Sequence, residues 1–164
     1  TFKELRKIEV VVNPTKLVAD SQGDVYVISN GDYGTIKASL QRIAKGTEVV
    51  TKIAGFEPME MAIYNDHLYF FSFTPDYVTH LASNKKFIQY DALTESVVKE
   101  NFITNDPTTK MLYSLDVDPT NGDIYISETD YSAAGKMYVF KNDGSNKENF
   151  SVGVNAYKTV FITK

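Results

Sequence analysis

Apolar and polar residues alternate along most of this chain with a period of two, which is typical of half-buried β-strands. No segment shows a sustained apolar period of 3.6 residues, so the sequence predicts an all-β fold without helices. The alternation is organised into hairpins, because runs of β-branched and aromatic residues flank tight turns rich in Asn, Asp and Gly. The predicted hairpin turns lie at residues 21–24, 65–66 and 119–123.

A second pair of strands follows each hairpin, which gives a four-stranded antiparallel unit that occurs three times. The second strands of the units carry Tyr26, Tyr69 and Tyr125, at spacings of 43 and 56 residues. The shorter spacing matches the roughly 40–50 residues of a four-stranded β-propeller blade. The longer one predicts an insertion around residues 105–109 and a longer loop after Tyr77.

The sequence therefore predicts a single β-propeller segment over residues 1–164, with about three complete blades and a flanking strand at each end. The predicted blades cover approximately residues 14–54, 58–103 and 111–153, and the predicted flanking strands cover residues 7–13 and 154–162. Propellers typically have four to eight blades, so this arrangement is a partial ring. We expect further sequence or a second copy of the chain to complete the ring, and we expect self-association through open blade edges.

Composition excludes several classes of function. The 17 basic and 21 acidic residues give a net charge of −4, which argues against a general nucleic-acid surface. No apolar run approaches the roughly 20 residues of a transmembrane helix, so no transmembrane segment is predicted. The absence of cysteine excludes disulfides, thiolate metal sites and cysteine nucleophiles.

A loop motif recurs after the second strand of each unit: a serine, a short spacer, then Asp-Tyr. The copies end in Asp32-Tyr33, Asp76-Tyr77 and Asp130-Tyr131, and these six residues are the candidate ligand-binding residues. Tyrosine rings stack on sugars and carboxylates accept hydroxyl hydrogen bonds, so the loops are suited to a polar ligand. The alternative interpretation is structural, with Asp capping the loop and Tyr packing between blades, and a motif present in every blade favours it.

Other candidates for chemistry are weaker. The acidic run at residues 116–123 resembles a calcium loop, but its glycine is one position late and its twelfth position is Ser127, so a plain turn is favoured. His67 and His80 have no metal-binding spacing, and no catalytic motif is found, so no catalytic residue is assigned. The residues expected at the junctions between blades are Asn13, Glu57, Asp106 and Asn155.

Three kinds of segment carry a resemblance to a known family. They are the second strands 25–29 and 123–127, the third strands 39–43 and 137–140, and the junctions 12–14 and 154–156. These segments resemble the C-terminal part of the surface-layer-type, quinoprotein-like β-propellers of bacterial envelopes. The resemblance implies an exported protein, in the periplasm or at the cell surface, with a role in binding or adhesion. It transfers no catalytic residues to this chain.

Three functions remain open from the sequence. The first is a non-catalytic cell-envelope propeller that binds a glycan, peptide or protein partner and needs no cofactor. The second is a metal-dependent hydrolase or lactonase with calcium or another ion on the propeller axis, held by residues at the blade junctions. The third is a scaffold that completes its ring with another chain.

Overall fold

The computed structural model describes residues 3–162, and within that range it contains twelve β-strands and no helix. The strands form three four-stranded antiparallel sheets, each of which takes its strands in chain order. This result confirms the all-β fold and the four-stranded antiparallel repeat. The chain divides into two compact units, Thr1–Pro58 with one sheet and Met59–Lys164 with two.

The first unit holds one sheet whose central strands are buried. Its strands are β1 (Pro14–Ala19), β2 (Val25–Ser29), β3 (Ser39–Ile43) and β4 (Val50–Ile53). β2 and β3 are mostly buried, whereas β1 is mostly exposed and β4 has no buried residue. Asp20 fixes the β1–β2 turn, because its carboxylate accepts the backbone N–H groups of Gly23 at 2.8 Å and Asp24 at 2.9 Å.

The second unit holds two sheets of the same design. Their strands are β5 (Glu60–Tyr64), β6 (His67–Asp76), β7 (Leu81–Asp91) and β8 (Ser96–Lys99), then β9 (Met111–Val117), β10 (Ile124–Thr129), β11 (Lys136–Phe140) and β12 (Asn146–Ser151). The last strand of each sheet, β8 or β12, is exposed at every position, while β10 and β11 are almost wholly buried. β5 lies next to β9, so the first strands of the two sheets are neighbours.

One hydrophobic core joins the two sheets of the second unit. Its buried members include Tyr69, Phe71 and Phe87 from the first sheet and Leu115, Ile126 and Phe140 from the second. Phe102 fills the centre of the aromatic part, with its ring centroid 5.4 Å from that of Tyr69 and 6.1 Å from that of Phe87. Both pairs have an interplanar angle of 77°, the edge-to-face arrangement that aromatic quadrupoles favour.

The predicted flanking strands at residues 7–13 and 154–162 are not formed: within the described residues, neither segment joins a sheet. Each segment contains an asparagine in the left-handed region, Asn13 and Asn155, both with φ of 55°, which interrupts an extended chain. A strand also needs a row of backbone partners, and these segments make isolated bonds instead. The N–H of Val11, for example, donates to a side-chain oxygen of Gln41 at 2.8 Å.

The predicted loop after Tyr77 is also wrong. β6 and β7 continue past the expected strand ends, and Asp76 pairs with Leu81 across a tight turn over residues 77–80. The N–H of His80 donates to the carbonyl of Asp76 at 2.8 Å and closes this turn. The extra length between the second and third repeats is therefore taken up partly by a longer hairpin, whose two strands pair with each other.

Candidate functional site

The aspartates of the repeated loop motif bind the backbone of their own loops. In Asp32, Asp76 and Asp130 alike, one carboxylate oxygen accepts two backbone N–H groups, at 2.8–3.1 Å. One donor lies two residues further along the chain and the other lies three or four residues further along. This is the Asx-turn geometry, and it supports the capping interpretation of the motif.

Hydrogen bonds lower the pKa of all three carboxyl groups below the ordinary aspartate value. For Asp32 the largest cause of the lowered pKa is a backbone N–H group, and for Asp76 it is the hydroxyl of Thr79. For Asp130 the ammonium of Lys110, at 2.5 Å, lowers the pKa most, ahead of the N–H groups of the loop. The loops therefore use the ionised aspartates as acceptors.

The three tyrosines of the motif differ in their surroundings. Tyr33 lies in the first unit and is 82% exposed, whereas Tyr77 and Tyr131 lie in the second unit and are 70% and 43% exposed. Tyr33 and Tyr131 share a left-handed backbone, with φ of 59° and 66°. Only two of the three predicted tyrosines, Tyr77 and Tyr131, are brought to one place by the second unit.

That place is a cleft of about 190 Å³ in the second unit, next to β5, β6 and the start of β9. Its aromatic lining consists of Phe71, Phe73, Tyr77, Tyr113, Tyr131 and Tyr157. We call this cavity the tyrosine cleft, because four of these side chains are tyrosines from different segments of the unit.

Tyr113 is the central ring of the tyrosine cleft. Its centroid lies 5.9 Å from that of Tyr131 at an interplanar angle of 90°, and 5.9 Å from that of Tyr157 at 71°. The ring of His80 lies behind Tyr131, with 5.6 Å between the centroids. Burial raises the pKa of Tyr131, and the neighbouring phenols of Tyr77 and Tyr113 raise it further. The rings of the cleft therefore form walls that stand at steep angles to one another.

Glu60 adds a carboxyl group to the lining of the tyrosine cleft. It is the first residue of β5, paired in register with Phe71, and it is only 9% exposed. Among the described residues that line the cleft, Glu60 is the one with an ionisable acid or base other than the phenols. The cleft thus combines aromatic walls with a buried carboxyl group.

The motif-based prediction missed Glu60, Tyr113 and Tyr157. The sequence predicts a strand around Tyr113 and a flanking strand around Tyr157, where a tyrosine usually signals packing. The C-terminal segment contains Tyr157, Val160 and Ile162, whose large side chains the structure leaves exposed, and exposure of this kind is not visible in the sequence. Tyr157 is separated along the chain from the third motif copy. Its convergence with Tyr131 on the cleft depends on how the C-terminal segment returns to β9, which the motif does not show.

The residues predicted at the blade junctions are held locally. The side-chain amide of Asn13 donates to a backbone carbonyl at 2.6 Å, and the amide oxygen of Asn155 accepts a threonine hydroxyl at 2.7 Å. Asp106 forms an ion pair with Lys85, and Glu57 is exposed. In the second unit, the side chains of Asp106 and Asn155 are therefore each committed to a separate neighbour.

The acidic run at residues 116–123 behaves as a turn. Asp116 pairs with Lys158, and Asp123 pairs with Lys147. Asp118 accepts the backbone N–H two residues further on at 2.8 Å, in the manner of the Asx turns above. The three carboxylates thus bind three separate groups, which supports the interpretation as a plain turn.

The structure offers no preformed metal centre within residues 3–162, since no three His, Asp or Glu side chains in that range converge on one point. Nδ1 of His67 lies 2.9 Å from the carbonyl oxygen of Asn65, and His80 contacts Tyr131 as described. A search of the described residues for a helix long and apolar enough to cross a membrane finds none. Comparison with protein-family models and with curated proteins gives no match for this chain.

Proposed function

We propose that this protein is a non-catalytic binding module and that the tyrosine cleft of its second unit is the binding site. The observation that carries the proposal is the convergence of Tyr77, Tyr113, Tyr131 and Tyr157 on one cavity. Exposed large apolar side chains are normally scattered singly, and a cluster of them around a concavity is typical of a recognition site.

Tyrosine is well suited to such a site. Its ring presents an apolar face and a polar tip, and only two side-chain torsions lose freedom when a ligand binds. Tyr77 and Tyr157 are 70% and 52% exposed, so their rings are accessible to a partner. A concave, aromatic surface of this kind fits a glycan, a peptide or a protein side chain.

We also propose that the three sheets are consecutive β-propeller blades. In support, each sheet takes its strands in chain order, and in the second unit the last strand of each sheet is exposed while the first strands are neighbours. Exposed last strands and neighbouring first strands are expected of blades arranged around an axis. The resemblance to surface-layer-type, quinoprotein-like propellers and an exported location in the bacterial envelope are parts of this proposal, supported by the repeated strand and loop pattern.

Association with a second copy is the other candidate function, and an apolar cavity in the first unit favours it. This cavity has a volume of about 580 Å³, and the apolar side chains that line it include Ile8, Val10, Leu17, Val25 and Ile43. Leu17 is largely exposed there, although it lies on a strand. Analytical sedimentation tests this function: a concentration-dependent dimer that Leu17→Glu disrupts supports it, and a monomer at all concentrations contradicts it.

The binding proposal is tested on arrays of glycans and peptides probed with the labelled chain. We compare the wild type with a Tyr131→Leu/Tyr157→Leu variant of the cleft and with a Tyr33→Leu control. Tyr33 is a matched control because it occupies the same motif position as Tyr131 with nearly the same φ, in the other unit. Ligands that are retained by the wild type and the control but lost by the cleft variant support the proposal, and retention by all three proteins contradicts it.

A further inference from the structure

The tyrosine cleft combines two features that together specify a charge. Its walls are aromatic faces, whose quadrupoles place negative potential above and below the ring. Apart from the phenols, Glu60 is the one ionisable side chain among the described lining residues, and it is nine-tenths buried. The ring faces favour a positive charge inside the cleft, and a carboxyl group in the lining does not favour an anion. From this complementarity we propose that the ligand group held in the cleft is a compact quaternary ammonium cation. The inference rests on the proposed function, since it gives the chemistry of the ligand that the cleft binds.

The arrangement of the rings fits a cation that is approached from several sides. Tyr131 and Tyr157 stand at 90° and 71° to Tyr113, so the three ring planes do not stack on one another. Perpendicular walls are unsuited to a flat ligand sandwiched between parallel rings. They suit a roughly spherical group whose methyl surface contacts several aromatic side chains, which is the arrangement of aromatic cages for quaternary ammonium groups.

The size of the cleft limits the ligand. Its volume of about 190 Å³ is below the roughly 300–1,000 Å³ of pockets that enclose drug-sized ligands. A headgroup such as that of choline is therefore the appropriate scale, and an oligosaccharide is too large to be enclosed.

The hydrogen-bonding capacity of the lining favours a quaternary over a primary ammonium group. The hydrogen-bonding groups of the described lining side chains are the phenol hydroxyls of the four tyrosines and the carboxyl group of Glu60, with no amide, guanidinium or aliphatic hydroxyl among them. A sugar, a lysine ammonium or a guanidinium brings several donors that would need acceptors once water is excluded. A quaternary ammonium group has no N–H donor, so the aromatic faces are sufficient for it.

The test measures binding of choline chloride by tyrosine fluorescence, a clean signal because the chain has 11 Tyr and no Trp. The matched neutral probe is 3,3-dimethyl-1-butanol, which has the shape of choline without the charge, and n-butylammonium represents a lysine side chain. Sodium chloride holds the ionic strength constant. We expect choline to bind with a dissociation constant of about 1 mM or below, and at least tenfold more tightly than the neutral probe.

Variants then locate the binding site. Tyr131→Leu removes one aromatic wall and should weaken choline binding about 2- to 30-fold, whereas Tyr131→Phe keeps the ring and should change it by less than about twofold. Glu60→Gln should weaken the binding of choline and leave that of 3,3-dimethyl-1-butanol unchanged. Tyr33→Leu, in the first unit, should have no effect. The two Tyr131 variants decide the matter even if the buried Glu60→Gln change prevents folding, which circular dichroism reports.

The outcomes separate this inference from the proposed function. Preferential choline binding that Tyr131→Leu weakens and Tyr131→Phe retains supports the inference. Equal binding of choline and the neutral probe, or tighter binding of n-butylammonium, overturns the assignment of a quaternary cation. If choline does not bind but the arrays give a ligand whose retention depends on the cleft, the cation is wrong and the binding function stands. If the arrays also show no dependence on the cleft, the proposed function fails with it.

Discussion

Replacement of Gly31 by alanine tests whether the repeated loops are rigid structural elements. Gly31 lies in the loop after β2 with φ of 72°, and a Cβ atom there would lie 1.9 Å from the carbonyl oxygen of Ile36. That oxygen accepts the N–H of Asp32 at 3.0 Å and so closes the loop. Because the clash is with backbone, the alanine fits only if the carbonyl moves away and this hydrogen bond is lost.

Gly46 provides a matched control in the same unit. It has the same φ of 72°, but a Cβ atom there has no neighbour within 4 Å. Gly46→Ala therefore carries only the cost of a left-handed alanine. Because alanine also restricts the unfolded chain, the net loss in the free energy of unfolding should be about 1 kcal/mol. Gly31→Ala adds the lost hydrogen bond and the displaced backbone, so its destabilisation should be about 3 kcal/mol.

The assay is urea unfolding of the two variants, followed through the NMR amide signals of β2 and β3. These signals report on the first unit alone, which matters because two units need not unfold together. We expect the free energy of unfolding to fall about 2 kcal/mol further in Gly31→Ala than in Gly46→Ala. Equal losses in the two variants would refute the reasoning, since the loop would then accommodate the clash without cost.

Three further predictions concern the second unit. Tyr138→Phe removes the hydroxyl that donates to Glu128 at 3.0 Å and should lower the free energy of unfolding by about 1–3 kcal/mol in urea. Asp130→Asn should lower the Tm at pH 7, and because the folded-state pKa of Asp130 is depressed, the difference from wild type should shrink as the pH falls below the unfolded value near 4. A Tm difference that stays constant down to pH 2 contradicts this linkage. Phe102→Ala leaves a cavity in the aromatic core and should lower the free energy of unfolding by about 3–5 kcal/mol. Val98→Ala on the exposed strand β8 should lower it by less than about 0.5 kcal/mol.

The repeated strands were predictable because their information is local. β2 (Val25–Ser29) and β11 (Lys136–Phe140) have the bounds expected from alternation, and Asn65 and Asp66 both have the positive φ that their tight turn requires. The flanking strands were not predictable in the same way, because a strand at residues 7–13 depends on a partner and not on its own pattern. The apolar residues Val10 and Val12 are compatible with a segment that makes isolated hydrogen bonds and joins no sheet.

The candidate site shows the same division. The repeated motif singled out Asp76 and Asp130, and the structure gives both the backbone-capping role that turn aspartates usually have, although Asp76 is the last residue of β6. Glu60 and Tyr157 were not foreseen, because they reach the tyrosine cleft from segments nearly 100 residues apart in the chain. A convergence of that kind is set by the packing of the C-terminal segment against β9, which a period or a motif in one segment does not encode.

The most direct test of the central claim is an NMR titration of the chain labelled with ¹³C in its tyrosine rings, using the strongest ligand from the arrays. If the tyrosine cleft is the binding site, the ring signals of Tyr113, Tyr131 and Tyr157 shift together and saturate with one dissociation constant. The ring signals of Tyr33 and Tyr138, an exposed and a buried tyrosine that do not line the cleft, should stay in place. Saturable shifts at Tyr33 with none at the three cleft tyrosines would contradict the account.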